Sequence, residues 1–329
     1  MSTNLQTILS PISADMQSLN EVIRHRLSSE VALINQISGY IIEAGGKRIR
    51  PALLLLTAKA IANGQALKHH LDMAAVVEFI HTATLLHDDV VDESDLRRGR
   101  ATANAAFGNA ASVLVGDFLY SRAFQMMVAP NELKIMQILA DATNTIAEGE
   151  VLQLMNMHDP DVNEERYLQV IHYKTGKLFE ASSALGALLA KSTPEQYTAA
   201  EAYGRHIGTA FQLVDDILDY TADAAQMGKN AGDDLREGKR TVLMAMTLDA
   251  LSEEGKRELL AHLGQPDISA AKIEELRALI KSSGAVEKVE NLIEKLTNDS
   301  LTAIEDPSIH PSSREFLTYI ALSAVKRSA

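Results

Sequence analysis

Two short acidic runs carry most of the chemistry legible in this chain. Asp88-Asp89-Val90-Val91-Asp92 and Asp215-Asp216-Ile217-Leu218-Asp219 share the pattern D-D-x-x-D. In a helix the first and last aspartates of that pattern stand on one face, and the second lies about 100° round. Three carboxylates so close repel one another and raise their own pKa values. Each run closes an apolar helical stretch, HTATLLHDDVVD and GTAFQLVDDILD. There the helix dipole disfavours negative charge, and Asp is a mediocre helix former. A cation offsets these costs. Hard carboxylate oxygens select Mg²⁺, which keeps several waters and binds together with substrate phosphates. A solvated acidic helix end accounts for one such run. Two runs with matching lead-ins argue for a metal site built from Asp88, Asp89, Asp92, Asp215, Asp216 and Asp219.

Basic residues supply the other half of a diphosphate site. Gly45-Gly46-Lys47-Arg48-Ile49-Arg50-Pro51 sets a glycine pair and three cations before a proline suited to the first turn of the next helix. Arg97, Arg98 and Arg100 form a second cluster, Lys174-Thr175-Gly176-Lys177 a third, and Lys229 with Lys239-Arg240 a fourth. The loops after the two acidic runs also match, DLRRGRAT against DLREGKRT, as expected of two facing halves of one site. Glu78-Phe79-Ile80-His81 fits E-x-x-H, the ligand spacing of di-iron carboxylate bundles, but that fold needs the motif twice and no second copy occurs. His81 lies seven residues before Asp88, about two turns up the same face. It either hydrogen-bonds a phosphate or is a satisfied core histidine.

The elements that must position these residues are helical. Apolar residues recur at three-to-four spacing through Val31–Ile42, Leu71–Leu86, Val113–Met127, Tyr167–Leu189, Ala199–Tyr220 and Leu243–Leu251. Period-2 alternation is hard to find, and no long Ser- or Gly-rich linker divides the 329 residues. One all-α domain over 1–329, with about ten or more helices, is expected. The net charge of −13 disfavours nucleic acid as a partner. The absence of Cys excludes disulfides, thiolate metal sites and cysteine nucleophiles. With no leader-like start and no apolar run long enough to span a bilayer, the expected compartment is the cytoplasm.

Taken in order, GGKRIRP, HDDVVDESDLRRGRAT, GDFLYSRAF, KTG, FQLVDDILD and GKNAGDDLREGKRT resemble the trans-isoprenyl diphosphate synthase family, within it the bacterial long-chain enzymes. The resemblance covers most of residues 40 to 245. It implies a single-domain helical bundle around a central cavity, a homodimer, and two to three Mg²⁺ ions per active site. It implies a prenyltransferase that condenses isopentenyl diphosphate with an allylic diphosphate such as farnesyl diphosphate. On that pattern the six aspartates, with Lys174 and Lys229, are catalytic. Arg97, Lys174, Thr175, Gln212, Lys229 and Lys239 hold the allylic diphosphate, and Lys47, Arg50, His81 and Arg98 hold isopentenyl diphosphate. The loop from Gly228 to Gly238 is a candidate lid. The product would serve as the side chain of isoprenoid quinones, with transient membrane contact on release.

Chain length follows from position on the helix. Thr84 and Ala83, four and five residues before Asp88, are small, whereas short-chain family members carry an aromatic ring nearby. An open tunnel past the first turn predicts a long product, about C40, since one isoprene unit spans roughly one helical turn. Phe79, Val76, Phe124 and Met127 are candidates for its floor; tight helix packing is the alternative role for Ala83 and Thr84. Two rival functions remain. A terpene cyclase would carry a different second metal motif and leave Lys47 and Arg50 without a task. A silent subunit of a heteromeric synthase would be expected to lose carboxylates, and this chain keeps six.

Overall fold

Apolar residues spaced by three or four fold into helices that wrap one almost wholly buried helix. The computed structural model describes residues 10–43, 45–97, 99–157, 159, 163–221, 232–265, 267–305 and 311–325. Among them run α1 Ser13–Leu27, α2 Ala32–Glu43, α3 Ile49–Ala62, α4 His70–Val91, α5 Ala103–Phe107, α6 Asn109–Val128, α7 Leu133–Asn156 and α8 Glu164–Ile171. There follow α9 Lys177–Leu189, α10 Pro194–Thr221, α11 Asp233–Glu237, α12 Val242–Ala250, α13 Glu253–His262, α14 Ala270–Ser282, α15 Ala285–Ala303 and α16 Pro311–Val325. A π-helical turn, His172–Gly176, joins α8 to α9. The expected polar loop after α4 is instead a small antiparallel hairpin, β1 Leu96–Arg97 with β2 Arg100–Ala101, closed at Gly99 with φ 73°. The fold is all-α, as the periodicity predicts.

The central helix is α3. Pro51 lies in its first turn, and Pro51 through Ala58 are all buried, the pattern of a helix apolar on every side. It packs against α4 and α9. A Cβ on Gly186 of α9 would come within 2.5 Å of the Leu54 carbonyl oxygen, so only glycine lets the two backbones lie this close. Two apolar clusters form, and α10 belongs to both. Tyr203, Ile207 and Phe211 join the cluster around α3 and α4. Leu213, Ile217 and Tyr220, one to two turns on, join the cluster made with α8, α12, α14 and α15. The second acidic run therefore sits where two cores meet.

One stripe differs from expectation. On α6 the core face is Val115, Leu119, Ala123, Met126 and Met127, while Val113 and Leu114 are exposed. The apolar content of α6 is wide enough to fit two neighbouring faces, and packing against α4 selects one of them. Most of the exposed large hydrophobic side chains among the described residues lie on α6 and α7.

Candidate active site

The C-terminal end of α4 presents Asp88, Asp89 and Asp92, the last of which caps the helix by its N–H to the Asp88 carbonyl at 2.8 Å. Each carboxylate meets a cation from a different element. Lys174 Nζ of the π turn lies 3.8 Å from Asp88 Oδ2. Arg97 of the hairpin donates through Nε (2.8 Å) and Nη2 (2.6 Å) to Asp89 Oδ1. Lys239, just beyond α11, donates to Asp92 Oδ2 at 3.1 Å. Asn104 of α5 fixes the turn by donating to the carbonyls of Asp89 and Ser94 at 3.1 and 3.2 Å. Burial raises the Asp88 carboxyl above its usual range; Lys174 opposes the rise and Asp92 adds to it. Burial alone would lower the Lys239 ammonium, but Asp92, Asp234 and Glu237 together raise it.

The π turn explains how Lys174 and Thr175 both reach this end. An extra residue in one turn re-aims the side chains it carries, which is why such turns gather at functional sites. A glycine on α7 permits the approach. A Cβ on Gly149 would sit 2.7 Å from the Lys174 backbone nitrogen. Its neighbour Glu150 then accepts from Lys174 Nζ at 2.6 Å. Burial, with Asp88 and Asp92 nearby, outweighs Lys174 and pushes the Glu150 carboxyl up to about 7. Sequence reasoning missed Glu150, because its partner is 24 residues away. Thr175 Oγ1 donates to Gln212 Oε1 and Gln212 Nε2 donates to Asp216 Oδ1, each at 2.9 Å. One line of hydrogen bonds thus runs from the π turn to the second acidic run.

That second run is more buried, and its partners include neutral donors. Asp216 and Asp219 are buried, the latter completely. Asp219 Oδ2 accepts from the Asp234 N–H, and its carbonyl from the Gly232 N–H, both at 3.2 Å. Buried Tyr167 adjoins Asp216; burial first, and Asp216 next, hold its hydroxyl well above the ordinary tyrosine range. Asp234 also accepts, at its carbonyl, from the Lys239 N–H at 2.9 Å. Residues around α11 therefore tie Asp219 to Asp92, and the two runs close on one place as their shared pattern predicts.

A cavity of about 1380 Å³ opens beside the first run. Asp88, Asp92 and Glu150 stand at its polar end; Tyr120, Phe124, Ile146, Val151 and Leu154 give apolar walls between α6 and α7. Of the positions read as lining a tunnel, Thr84 and Phe124 are on its wall, while Val76, Phe79, Ala83 and Met127 are buried in the core. Lys47, Arg50 and His81 are not on this wall. Arg50 Nη1 lies 3.2 Å from His81 Nε2, and its guanidinium lies 4.5 Å over the Phe179 ring. Arg98, Lys229 and the Gly228 end of the candidate lid fall outside the described residues. The described part of that loop, Gly232–Gly238, is the short helix α11 between two glycines with φ 77° and 73°. Among the described residues no three carboxylate or histidine groups converge to hold a cation on their own. The donor set is carboxylate oxygen with lysines drawn up to it, which suits a cation that keeps waters and shares phosphate ligands.

Comparison with known proteins bears on the family and the fold. The family model for polyprenyl synthetase matches residues 31–280. The chain is 58% identical over 240 residues to octaprenyl diphosphate synthase of Escherichia coli strain K12, covering 73% of each chain. It is 42% identical over 323 residues to an all-trans-nonaprenyl-diphosphate synthase of Rhodobacter capsulatus described as geranyl-diphosphate specific, covering 98% of each. In structure it superposes with a TM-score of 0.93, at 40% identity, on a polyprenyl synthase of Caulobacter crescentus complexed with calcium and isoprenyl diphosphate, covering 100% of this chain and 99% of that one.

Proposed function

The chain belongs to the polyprenyl synthetase family, a family of prenyltransferases, and we propose that it makes an all-trans polyprenyl diphosphate of about C40 from farnesyl diphosphate and isopentenyl diphosphate. The observation that carries this is the pairing of two acidic helix ends beside a long apolar-walled cavity. The 58% identity to an octaprenyl synthase favours eight isoprene units, within a family whose related members make longer products. The product has the length of an isoprenoid-quinone side chain. The chain is read as one domain. Among the described residues no helix is long and apolar enough to cross a membrane, and we place the enzyme in the cytoplasm with transient membrane contact for product release. A second copy would cover the apolar faces of α6 and α7, giving a homodimer that sedimentation can test.

The aspartates of both runs are proposed to hold Mg²⁺, and the calcium bound by the Caulobacter relative supports a divalent ion here. Bound Mg²⁺ supplies Lewis-acid neutralisation of the leaving diphosphate. The chain's own residues do the rest. Lys174, Thr175, Gln212, Arg97 and Lys239, with Lys229, grip the allylic diphosphate and stabilise its negative charge as the C1–O bond breaks. Lys47 and Arg50, with His81 and Arg98, hold isopentenyl diphosphate so that its double bond attacks C1. The new C–C bond forms, and the proton lost from C2 leaves with the departing diphosphate. The walls exclude water that would quench the allylic cation. Phe124, Ile146, Val151 and Leu154 receive the growing chain.

Mass analysis of products from the purified chain with farnesyl and isopentenyl diphosphates tests this. A ladder ending near C40 is expected; no elongation would remove the assignment, and a ladder ending by C20 would remove the chain length. Ala83→Tyr or Thr84→Tyr puts a ring at or just behind the α4 wall and should shorten products to about C15–C20 without stopping the first condensation, one ring standing in for roughly one helical turn of depth. An unchanged ladder from both variants would take α4 out of chain-length control.

A further inference from the structure

Glu78 has no role in the chemistry above. It sits one turn before His81 on the same face of α4 and is buried. Its Oε1 pairs with Arg48 Nη1, and the two side chains are 9% and 13% exposed. Arg48 is unusual in its backbone. It precedes the first residue of α3 at φ 48°, ψ 38°, a left-handed conformation that side chains other than glycine, Asn and Asp seldom adopt. Its side chain makes no capping hydrogen bond, although its carbonyl accepts from the Ala52 N–H at 3.0 Å to start the helix. Such a conformation persists only where surroundings over-determine it, and strain of this kind gathers at ligand clamps. Lys47 and Arg50 flank this residue. Arg50 is aimed from α4 as well. A guanidinium only donates, so in the 3.2 Å contact His81 Nε2 is placed as the acceptor.

We propose that Glu78 is a positioning residue: through its buried ion pair it holds Arg48 left-handed and so sets where Lys47 and Arg50 meet the isopentenyl diphosphate. This rests on the reading that those two cations bind that substrate. The E-x-x-H pair of α4 then has one task, with Glu78 fixing the backbone of the basic loop and His81 fixing the Arg50 head. The carboxylate also offsets repulsion among three cations within four residues. Losing it frees Arg48 to relax to a right-handed or extended backbone, which swings Lys47 and Arg50 apart.

Steady-state kinetics on the full chain decide this. Glu78→Gln should raise KM for isopentenyl diphosphate about tenfold or more, leaving kcat and KM for farnesyl diphosphate within about twofold, the signature of lost ground-state binding of one substrate. Position 48 separates backbone from charge and serves if Glu78→Gln fails to fold. Arg48→Met should raise the same KM to a similar degree. Arg48→Asn combined with Glu78→Gln should bring it back to within about threefold of wild type, because Asn accepts the left-handed conformation without a carboxylate partner. Equal rises in both KM values, or equal effects of Met and of the Asn double variant, would overturn the proposal. Lys47→Ala distinguishes the premise. If it leaves the isopentenyl KM unchanged, the substrate assignment falls and the proposal with it. If it raises that KM while Glu78→Gln does not, the positioning role alone falls.

Discussion

The two D-D-x-x-D runs end helices of similar apolar character, yet their charges are met in different ways. At the end of α4 each aspartate faces a cation: Lys174, Arg97 and Lys239, drawn from three separate elements. At the end of α10 the partners include neutral donors, an amide of Gln212 and the backbone N–H of Asp234. The first run is thus partly neutralised before any ligand arrives, and an incoming cation competes with lysines for its oxygens. The second is more deeply buried and is ordered in part by neutral donors. One sequence pattern accordingly yields two clusters that differ in burial and in the donors that order them. Lysines released from the first are then on hand for a diphosphate.

The largest expected effect would break the pairing of the runs into one site. Asp88→Ala and Asp215→Ala should each lower kcat by more than about 100-fold, because even partners that only orient metal ligands cost 10–100-fold. Near wild-type turnover in either variant, at saturating Mg²⁺, would detach that run from the chemistry. Next comes stability. Asp89→Asn strips Arg97 of its charge partner and should cost about 1–3 kcal/mol, while Asp216→Asn keeps neutral donors satisfied and should cost less than about 1 kcal/mol. Urea unfolding of the metal-free proteins measures both, and equal losses would erase the contrast.

A smaller effect sharpens it. Lys239→Gln removes the competitor at Asp92 and should tighten Mg²⁺ binding to the substrate-free protein by about tenfold, or ~1.4 kcal/mol. Calorimetric titration reads this directly, and unchanged or weaker affinity would contradict displacement of lysine. The smallest effect is on pH dependence. Glu150 titrates near 7 in the fold against an ordinary value of 4.5. A raised carboxyl binds its proton more tightly in the folded state. Its contribution is therefore complete below about pH 4.5 and fades as pH rises through 7. Between pH 5 and 8 the metal-free wild type should lose on the order of 1 kcal/mol more than Glu150→Gln, allowing for partial exposure of the side chain. Parallel melting curves for the two proteins would show that Glu150 is not held protonated.

Local patterns made much of this legible. Helices follow from spacing along one segment, and a DDxxD run announces its cost within five residues. Matching lead-ins and matching loops placed the two runs opposite one another before any coordinates, and Asp219–Asp234–Lys239–Asp92 is the connection that joins them. What escaped was tertiary. Glu150 lies in EGEVLQLMN, an unremarkable helical stretch, and only its approach to Lys174 makes it part of the site. The outward turn of Leu114 depends on which α6 face α4 takes. The Glu78–Arg48 pair was visible as half of an E-x-x-H motif, but its partner stands 30 residues earlier.

The π turn at His172–Gly176 also bears on descent. A helix with one widened turn is what a single-codon insertion leaves behind when the flanking helix is too well packed to shift. Deleting one residue there would restore a continuous α-helix from Glu164 to Leu189, with better local geometry and an apolar face still in phase with the core. Lys174 and Thr175 would then point about 100° away from Asp88 and Gln212. The irregular turn is thus a local cost in helix geometry that places two polar side chains at the site.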